Sequence, residues 1–265
     1  MRPILRSNSI RLSLIVLLLS MGLGWVVTRE PQETKTQIPV EPGKQVEKSL
    51  VVKTKDSEQN IPYLLYLPAE YDSKPDQEWP VMLFLHGRGE SDGPLSVVAK
   101  WGPPKLADRG DDLPYILVSP QCPKEGFWND ETRQAGLDKL LQEISAKYRI
   151  DKKKIILTGL SMGGFGSWKL AANYPKRFSC AVPICGIGEV EDAPKLVDLP
   201  IWAFHGTEDD VVPLDGSAKI VEAIKQAGGA EVRFTTLEHV GHNSWSAPYA
   251  MPELYQWMLS QSASE

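Results

Sequence analysis

Ser161 sits between glycines in Gly159-Leu160-Ser161-Met162-Gly163, directly after the apolar run Ile155-Ile156-Leu157 and before a helix-compatible stretch, residues 165–173. Strand, tight turn and helix in that order place a serine in a strained turn, where glycines on either side let strand and helix come close. The hydroxyl is pushed out at the end of a sheet, above a helix N-terminus whose free N–H groups favour negative charge. A serine hydroxyl is a poor nucleophile at neutral pH. It needs a base within hydrogen-bond reach, and the base needs a carboxylate to fix its tautomer. Two other stretches offer those groups. Gly206-Thr207-Glu208-Asp209-Asp210 follows the apolar run Ile201-Trp202-Ala203-Phe204-His205 and supplies carboxylates. Glu238-His239-Val240-Gly241-His242 follows a run ending at Leu237 and supplies histidines. The chain order is serine, acid, histidine, and the chemistry it suggests is acyl transfer. A Gly-x-Ser-x-Gly pattern also occurs in ordinary glycine-rich turns, so the three stretches carry the reading only together. Residue types leave Asp209 and Asp210 open as the acid, and His239 and His242 open as the base.

Positioning three such loops at one edge requires a parallel sheet. The chain supplies the runs for one. Residues 80–89 form a continuous apolar strand, as expected inside a sheet covered on both faces, and end in the glycine-rich His86-Gly87-Arg88-Gly89. Residues 115–119, 155–157, 180–184, 201–205 and 231–237 are further strands. Residues 131–148, with Leu137, Leu140, Leu141 and Ile144 on one stripe, form an amphipathic helix, and residues 215–227 and 249–260 two more. Residues 50–54 and 63–67, separated by the polar 55–60, predict an antiparallel hairpin at the sheet edge. The expectation is an α/β fold: a mostly parallel central sheet, helices on both faces and an antiparallel N-terminal edge hairpin.

The 265 residues suffice for one sizeable core, and a net charge of −5 argues against a nucleic-acid partner. Three cysteines, Cys122, Cys180 and Cys185, make no disulfide framework and lack metal-ligand spacing. Cys180 and Cys185 lie an odd number of positions apart near one strand and are expected to face opposite ways. Arg2, Arg6 and Arg11 precede an apolar run over residues 12–27, slightly short of the ~20 residues of a spanning helix. Residues 1–28 are therefore expected to be a signal peptide or membrane anchor, residues 29–48 a polar linker, and residues 49–265 the folded domain. Membrane contact is expected only through that N-terminal segment, with the domain exported.

His86-Gly87-Arg88-Gly89, Gly159-Leu160-Ser161-Met162-Gly163, His205-Gly206-Thr207-Glu208-Asp209 and Gly241-His242, in that order, resemble the α/β-hydrolase superfamily. More narrowly they resemble bacterial esterases of the carboxylesterase, dienelactone-hydrolase and feruloyl-esterase-like group. The resemblance covers the chain from about Ser49 onward. It implies Ser161 as nucleophile, Asp209 as acid through the His-Gly-x-x-Asp spacing, and His242 as base because Gly241 precedes it. Asp210 is then a solvated loop residue, His239 a surface or rim residue and His205 a structural histidine bonded to backbone. His86 is expected to hold the loop that follows it. An oxyanion hole is expected from the backbone N–H of Met162, next to the nucleophile, and of Arg88. His-Gly-Arg-Gly stands where some lipases have His-Gly-Gly-Gly, so the Arg88 donor follows from loop position, and its guanidinium is expected in solvent, with a substrate-facing position as the alternative. Trp128 and Trp245 are candidate pocket walls, and Cys185 a buried, inert thiol near the site.

These residues lead to the expectation of a serine ester hydrolase that uses an acyl-enzyme and neither metal nor organic cofactor. Its expected substrates are small-molecule or polysaccharide-linked esters, with short acyl, acetyl or feruloyl groups. Two rivals stand beside it. A prolyl-oligopeptidase-like peptidase uses the same triad but generally adds a large gating domain, for which 265 residues leave no room. A non-catalytic binding module usually lacks nucleophile, acid or base, and here all three are present.

Overall fold

The protein is described by a computed structural model over residues 40–53, 58–229 and 231–263. The arginine-flanked apolar segment, and the linker before residue 40, lie outside the described residues. Among the described residues, no helix is long and apolar enough to cross a membrane.

The sheet has eight strands: β1 (Gln45–Lys53), β2 (Glu58–Tyr66), β3 (Trp79–Leu85), β4 (Ile116–Pro120), β5 (Ile150–Leu160), β6 (Cys180–Ile184), β7 (Ile201–Gly206) and β8 (Val232–Leu237). Their order is β1-β2-β4-β3-β5-β6-β7-β8. β1 pairs antiparallel with β2, and β2 antiparallel with β4. The remaining neighbours are parallel, so β3, β5, β6, β7 and β8 all deliver their carboxyl ends to one edge. The expected α/β sheet with an antiparallel edge hairpin is the fold observed. β1 begins at Gln45, so residues 45–48, expected in the linker, belong to the domain. Their polar side chains alternate with inward-facing ones, which hides a strand from composition alone.

Val81 to Leu85 in β3 are fully buried because the sheet is covered on both faces. Successive side chains point to opposite layers. Val81, Leu83 and Leu85 pack with α2 (Glu131–Lys147), α3 (Met162–Asn173) and α4 (Asp215–Gln226), including the expected stripe Leu137, Leu140, Leu141 and Ile144. Met82 and Phe84 pack with α1 (Gly102–Asp108) and α5 (Pro252–Ser260). The last helix starts at Pro252, three residues after the expected start, since proline at the first helical position fixes φ and lacks the N–H a helix interior needs. α1 was not expected: Gly102-Pro103-Pro104 reads as a turn, yet both prolines fall in a first turn whose N–H groups have no intrahelical partner.

Candidate active site

Ser161 joins β5 to α3 with φ 52° and ψ −118°, a conformation that costs a non-glycine residue about 1–3 kcal/mol. The surroundings hold it there. Its N–H donates to Ile184 O at 3.0 Å, and its carbonyl accepts Phe165 N–H at 3.1 Å. The glycines are required by contact. A Cβ on Gly159 would lie 2.4 Å from Gly163 O, and one on Gly163 only 1.9 Å from Leu85 O. Bare backbone at both positions lets α3 settle against β3 and β5, which aims the serine hydroxyl out of the sheet edge.

His242 comes from the loop after β8. Its Nε2 lies 2.8 Å from Ser161 Oγ. Its Nδ1 lies 3.0 and 2.9 Å from Asp209 Oδ1 and Oδ2. A carboxylate only accepts, so Nδ1 carries the proton and Nε2 is left to accept from Ser161. The His242 side chain is 20% exposed, and that of Asp209 fully buried. Burial works to raise the Asp209 pKa. The N–H groups of Val212 and Val211, at 2.8 and 3.0 Å from Oδ1, together with His242, outweigh burial and hold it below its ordinary value. Ser244 braces the two loops: its Oγ accepts Gly206 N–H and donates to Gly241 O, both at 2.9 Å. The arrangement can move a proton from a serine oxygen to an imidazole whose charged form faces a buried carboxylate.

The rival acid and base are placed elsewhere. Asp210 is exposed, and His239 is 87% exposed, with its ring paired to Glu208 Oε1 at 2.8 Å. His205 is fully buried and bonded to Val212 O and Ser217 Oγ. His86 is buried too: Nε2 accepts Cys122 N–H at 2.9 Å, so Nδ1–H donates to Gly87 O at 2.6 Å. Burial pushes its pKa down to about 4, and the neutral ring ties the loop after β3 to the loop after β4.

Met162 is the first residue of α3, so its N–H has no intrahelical acceptor, and Arg88 opens the 3-10 turn Arg88–Glu90 beside it. The Arg88 side chain is not in solvent as expected. It donates to Lys124 O at 2.8 Å and Gly126 O at 2.9 Å and stacks 3.9 Å from the Phe127 ring centroid, pinning that loop. Trp128 does not line a pocket: it is 2% exposed, its indole N–H donates to His86 O at 3.0 Å, and it lies under Gly166 of α3. Trp245 stands edge-on to the His242 ring at 5.4 Å and lines a groove of about 360 Å³ with Trp101, Lys105 and Tyr255, which the sequence reading missed; Ser161, Asp209 and His242 are not among the groove's lining residues. Trp101 directly precedes the unexpected α1, and no spacing ties it to His242. A wider depression of about 750 Å³, near α2 and Tyr174, is likewise lined by none of Ser161, Asp209 and His242.

Cys185, Asp209 and His242 bring ligand atoms within 4.8 Å of one another. They do not make a metal site. Burial pushes the Cys185 thiol up to about 12, whereas a ligand needs the thiolate, and Asp209 and His242 are bonded to each other. Cys180 and Cys185 pack in the same apolar layer, not in opposite ones, because Cys185 lies past the end of β6 with φ 40°, where strand alternation no longer holds. All three cysteines are free and buried.

Residues 130–256 match the phospholipase/carboxylesterase family. A probable feruloyl esterase C of Aspergillus niger is 24% identical over 188 residues, which make up 69% of this chain and 67% of that protein. The dipeptidyl-peptidase 5 of Porphyromonas endodontalis is 26% identical over 246 residues, covering 87% of this chain and 32% of the peptidase. Among solved structures, a thermostable esterase superposes with TM-score 0.69 at 31% identity, over 82% of this chain and 63% of its own. The chain thus spans about two thirds of the length of these esterases.

Proposed function

We propose that this chain, a member of the α/β-hydrolase superfamily in its carboxylesterase and feruloyl-esterase-like group, is a serine carboxylic-ester hydrolase that works through an acyl-enzyme. The observation that carries the proposal is the 2.8 Å contact of Ser161 Oγ, on a strained turn, with a histidine nitrogen whose tautomer a buried carboxylate sets. Ser161 Oγ attacks the ester carbonyl carbon while its proton passes to His242 Nε2. Negative charge gathers on the carbonyl oxygen, where the N–H groups of Met162 and Arg88 receive it. One such donor is worth on the order of 10²–10³ in turnover. As the C–O bond breaks, His242 returns the proton to the departing alcohol, leaving the acyl group on Ser161. Water then attacks that acyl carbon and gives a proton to His242, which passes it to Ser161 as the acid leaves. Asp209 holds the Nδ1–H and offsets the imidazolium charge throughout.

Esters of short, acetyl or feruloyl acids, including those linked to polysaccharides outside the cytoplasm, are the proposed substrates. Three observations support this: the Trp245 ring edge-on to His242, the likeness to the Aspergillus niger protein, and the arginine-flanked apolar segment at residues 12–27. Hydrolysis of methyl ferulate and nitrophenyl acetate by residues 40–265 tests the proposal, with Ser161→Ala as control. Turnover lost in the variant supports it, and turnover retained would end it. The likeness to a dipeptidyl-peptidase keeps a serine peptidase as a second reading. It would lead if a dipeptidyl anilide were cleaved faster than every ester.

A further inference from the structure

His205 has no part in the chemistry just described, yet it touches the acid from behind. It lies near the carboxyl end of β7 and is fully buried. Its Nε2 is 2.9 Å from Val212 O and 3.3 Å from Asp209 Oδ2. A carbonyl only accepts, so Nε2 carries a proton and donates it to Val212 O, and the carboxylate oxygen stands beside that bond. On the other side of the ring, Nδ1 lies 2.8 Å from Ser217 Oγ in the first turn of α4, and the same oxygen lies 2.8 Å from Gly186 O. Gly186 in turn lies against the backbone of Gly164 and Phe165, where a Cβ on it would come within 2.3 Å of Gly164 C. The chain of contacts runs from Ser161 through His242, Asp209, His205, Ser217 and Gly186 back to the helix that follows Ser161.

The surroundings of both Asp209 oxygens are fixed. Oδ1 takes the N–H groups of Val211 and Val212, and Oδ2 sits between two imidazoles, His242 on the reacting side and His205 behind. We propose that His205 is a positioning residue for the ester hydrolysis proposed above, and the inference rests on that reading. Its Nε2–H holds Val212 O, and with it the turn whose Val211 and Val212 N–H groups fix Oδ1, while the ring stands 3.3 Å behind Oδ2; together these keep the carboxylate turned so that His242 retains its Nδ1–H tautomer. The remaining ionisable group facing Asp209 among the described residues is Cys185, neutral through burial, and the nearby Glu208–His239 pair is exposed.

The test uses His205→Leu, which removes the donor, His205→Gln, whose amide nitrogen can take the place of Nε2, and Ser217→Ala, with folding checked by thermal melting. For a short acyl nitrophenyl ester, His205→Leu should lower kcat about 10- to 100-fold, the range for one buried acceptor left unpaired, and leave KM within about threefold. With the Nε2–H dipole gone from beside Oδ2, Asp209 holds the His242 imidazolium more tightly, so the acid limb of kcat/KM should move to higher pH. His205→Gln should restore kcat to within about threefold and return the limb. A folded His205→Leu with wild-type kcat and an unmoved limb would overturn the inference, as would a Gln variant as slow as the Leu variant. Should His205→Leu not fold, Ser217→Ala decides: a kcat lowered several-fold with a moved limb supports the role, and wild-type values refute it. A wild-type protein that cleaves no ester would instead remove the underlying reading, so the two failures are told apart.

Discussion

Replacing Asp209 by asparagine should abolish most catalysis while sparing the fold, and the hydrogen bonds around the carboxylate say why. Oδ1 accepts the N–H groups of Val211 and Val212 at 3.0 and 2.8 Å. The amide oxygen of an asparagine is drawn to that position, which leaves its NH2 where Oδ2 now stands. There it faces His242 Nδ1 at about the 2.9 Å of the present contact. Facing that donor, and with the amide oxygen 3.0 Å away already taken by two N–H groups, Nδ1 accepts and the ring proton moves to Nε2, opposite Ser161 Oγ at 2.8 Å. A protonated Nε2 cannot take the serine's proton. In a serine hydrolase the wrong tautomer costs on the order of 10⁴ in kcat, or about 5 kcal/mol of barrier. Initial rates on a short acyl nitrophenyl ester measure this, with thermal melting to verify the fold and fluorophosphonate labelling expected to slow in proportion. A folded variant that loses less than tenfold would refute the reasoning, since His242 would then hold its tautomer without the carboxylate.

Acid should destabilise the protein well above the carboxylate range because of His86. Burial lowers its pKa from 6.5 to about 4, so between those values the unfolded chain binds a proton that the folded protein refuses. Stability should fall as pH drops through that window, by about 3 kcal/mol in all, and denaturant titrations of wild type and His86→Gln should show a shallower dependence in the variant. Below about pH 4 Asp209 adds to the loss: its pKa is depressed in the folded state, so the stability it contributes above its unfolded value disappears as protons bind. Cys122, Cys180 and Cys185, all free and buried, should resist a thiol reagent in the native protein and react once it is denatured. Native labelling of Cys185 would contradict the packing around Asp209. Gly163→Ala should cost at least about 3 kcal/mol or prevent folding, because its Cβ would meet the Leu85 carbonyl. A melting temperature near wild type would mean that α3 can move off β3.

What the sequence disclosed was mostly local. The turn at Ser161, the carboxylate loop after β7 and the Gly241-His242 pair follow strand ends, and a parallel sheet brings such ends to one edge whatever lies between. Features set by long-range contact stayed hidden. Trp128 and Trp245 are both loop tryptophans in the sequence, but only the packing of α3 makes one core and the other a groove wall. Arg88 turns from solvent toward carbonyls 36 and 38 positions away. β1 begins earlier than composition suggests because an edge strand needs only one apolar face. His205 was legible as structural. Its contact with Asp209 was not, because Ser217, which orients the ring, lies in another element.

The central claim is that Ser161 is the nucleophile of an ester hydrolase. Intact-mass analysis after fluorophosphonate treatment, with ester turnover followed in the same samples, tests it most directly. One adduct is expected on the wild-type protein and none on Ser161→Ala, with turnover lost in step with labelling. A well-folded wild-type protein that takes no adduct, or a Ser161→Ala variant that still takes one, would contradict it.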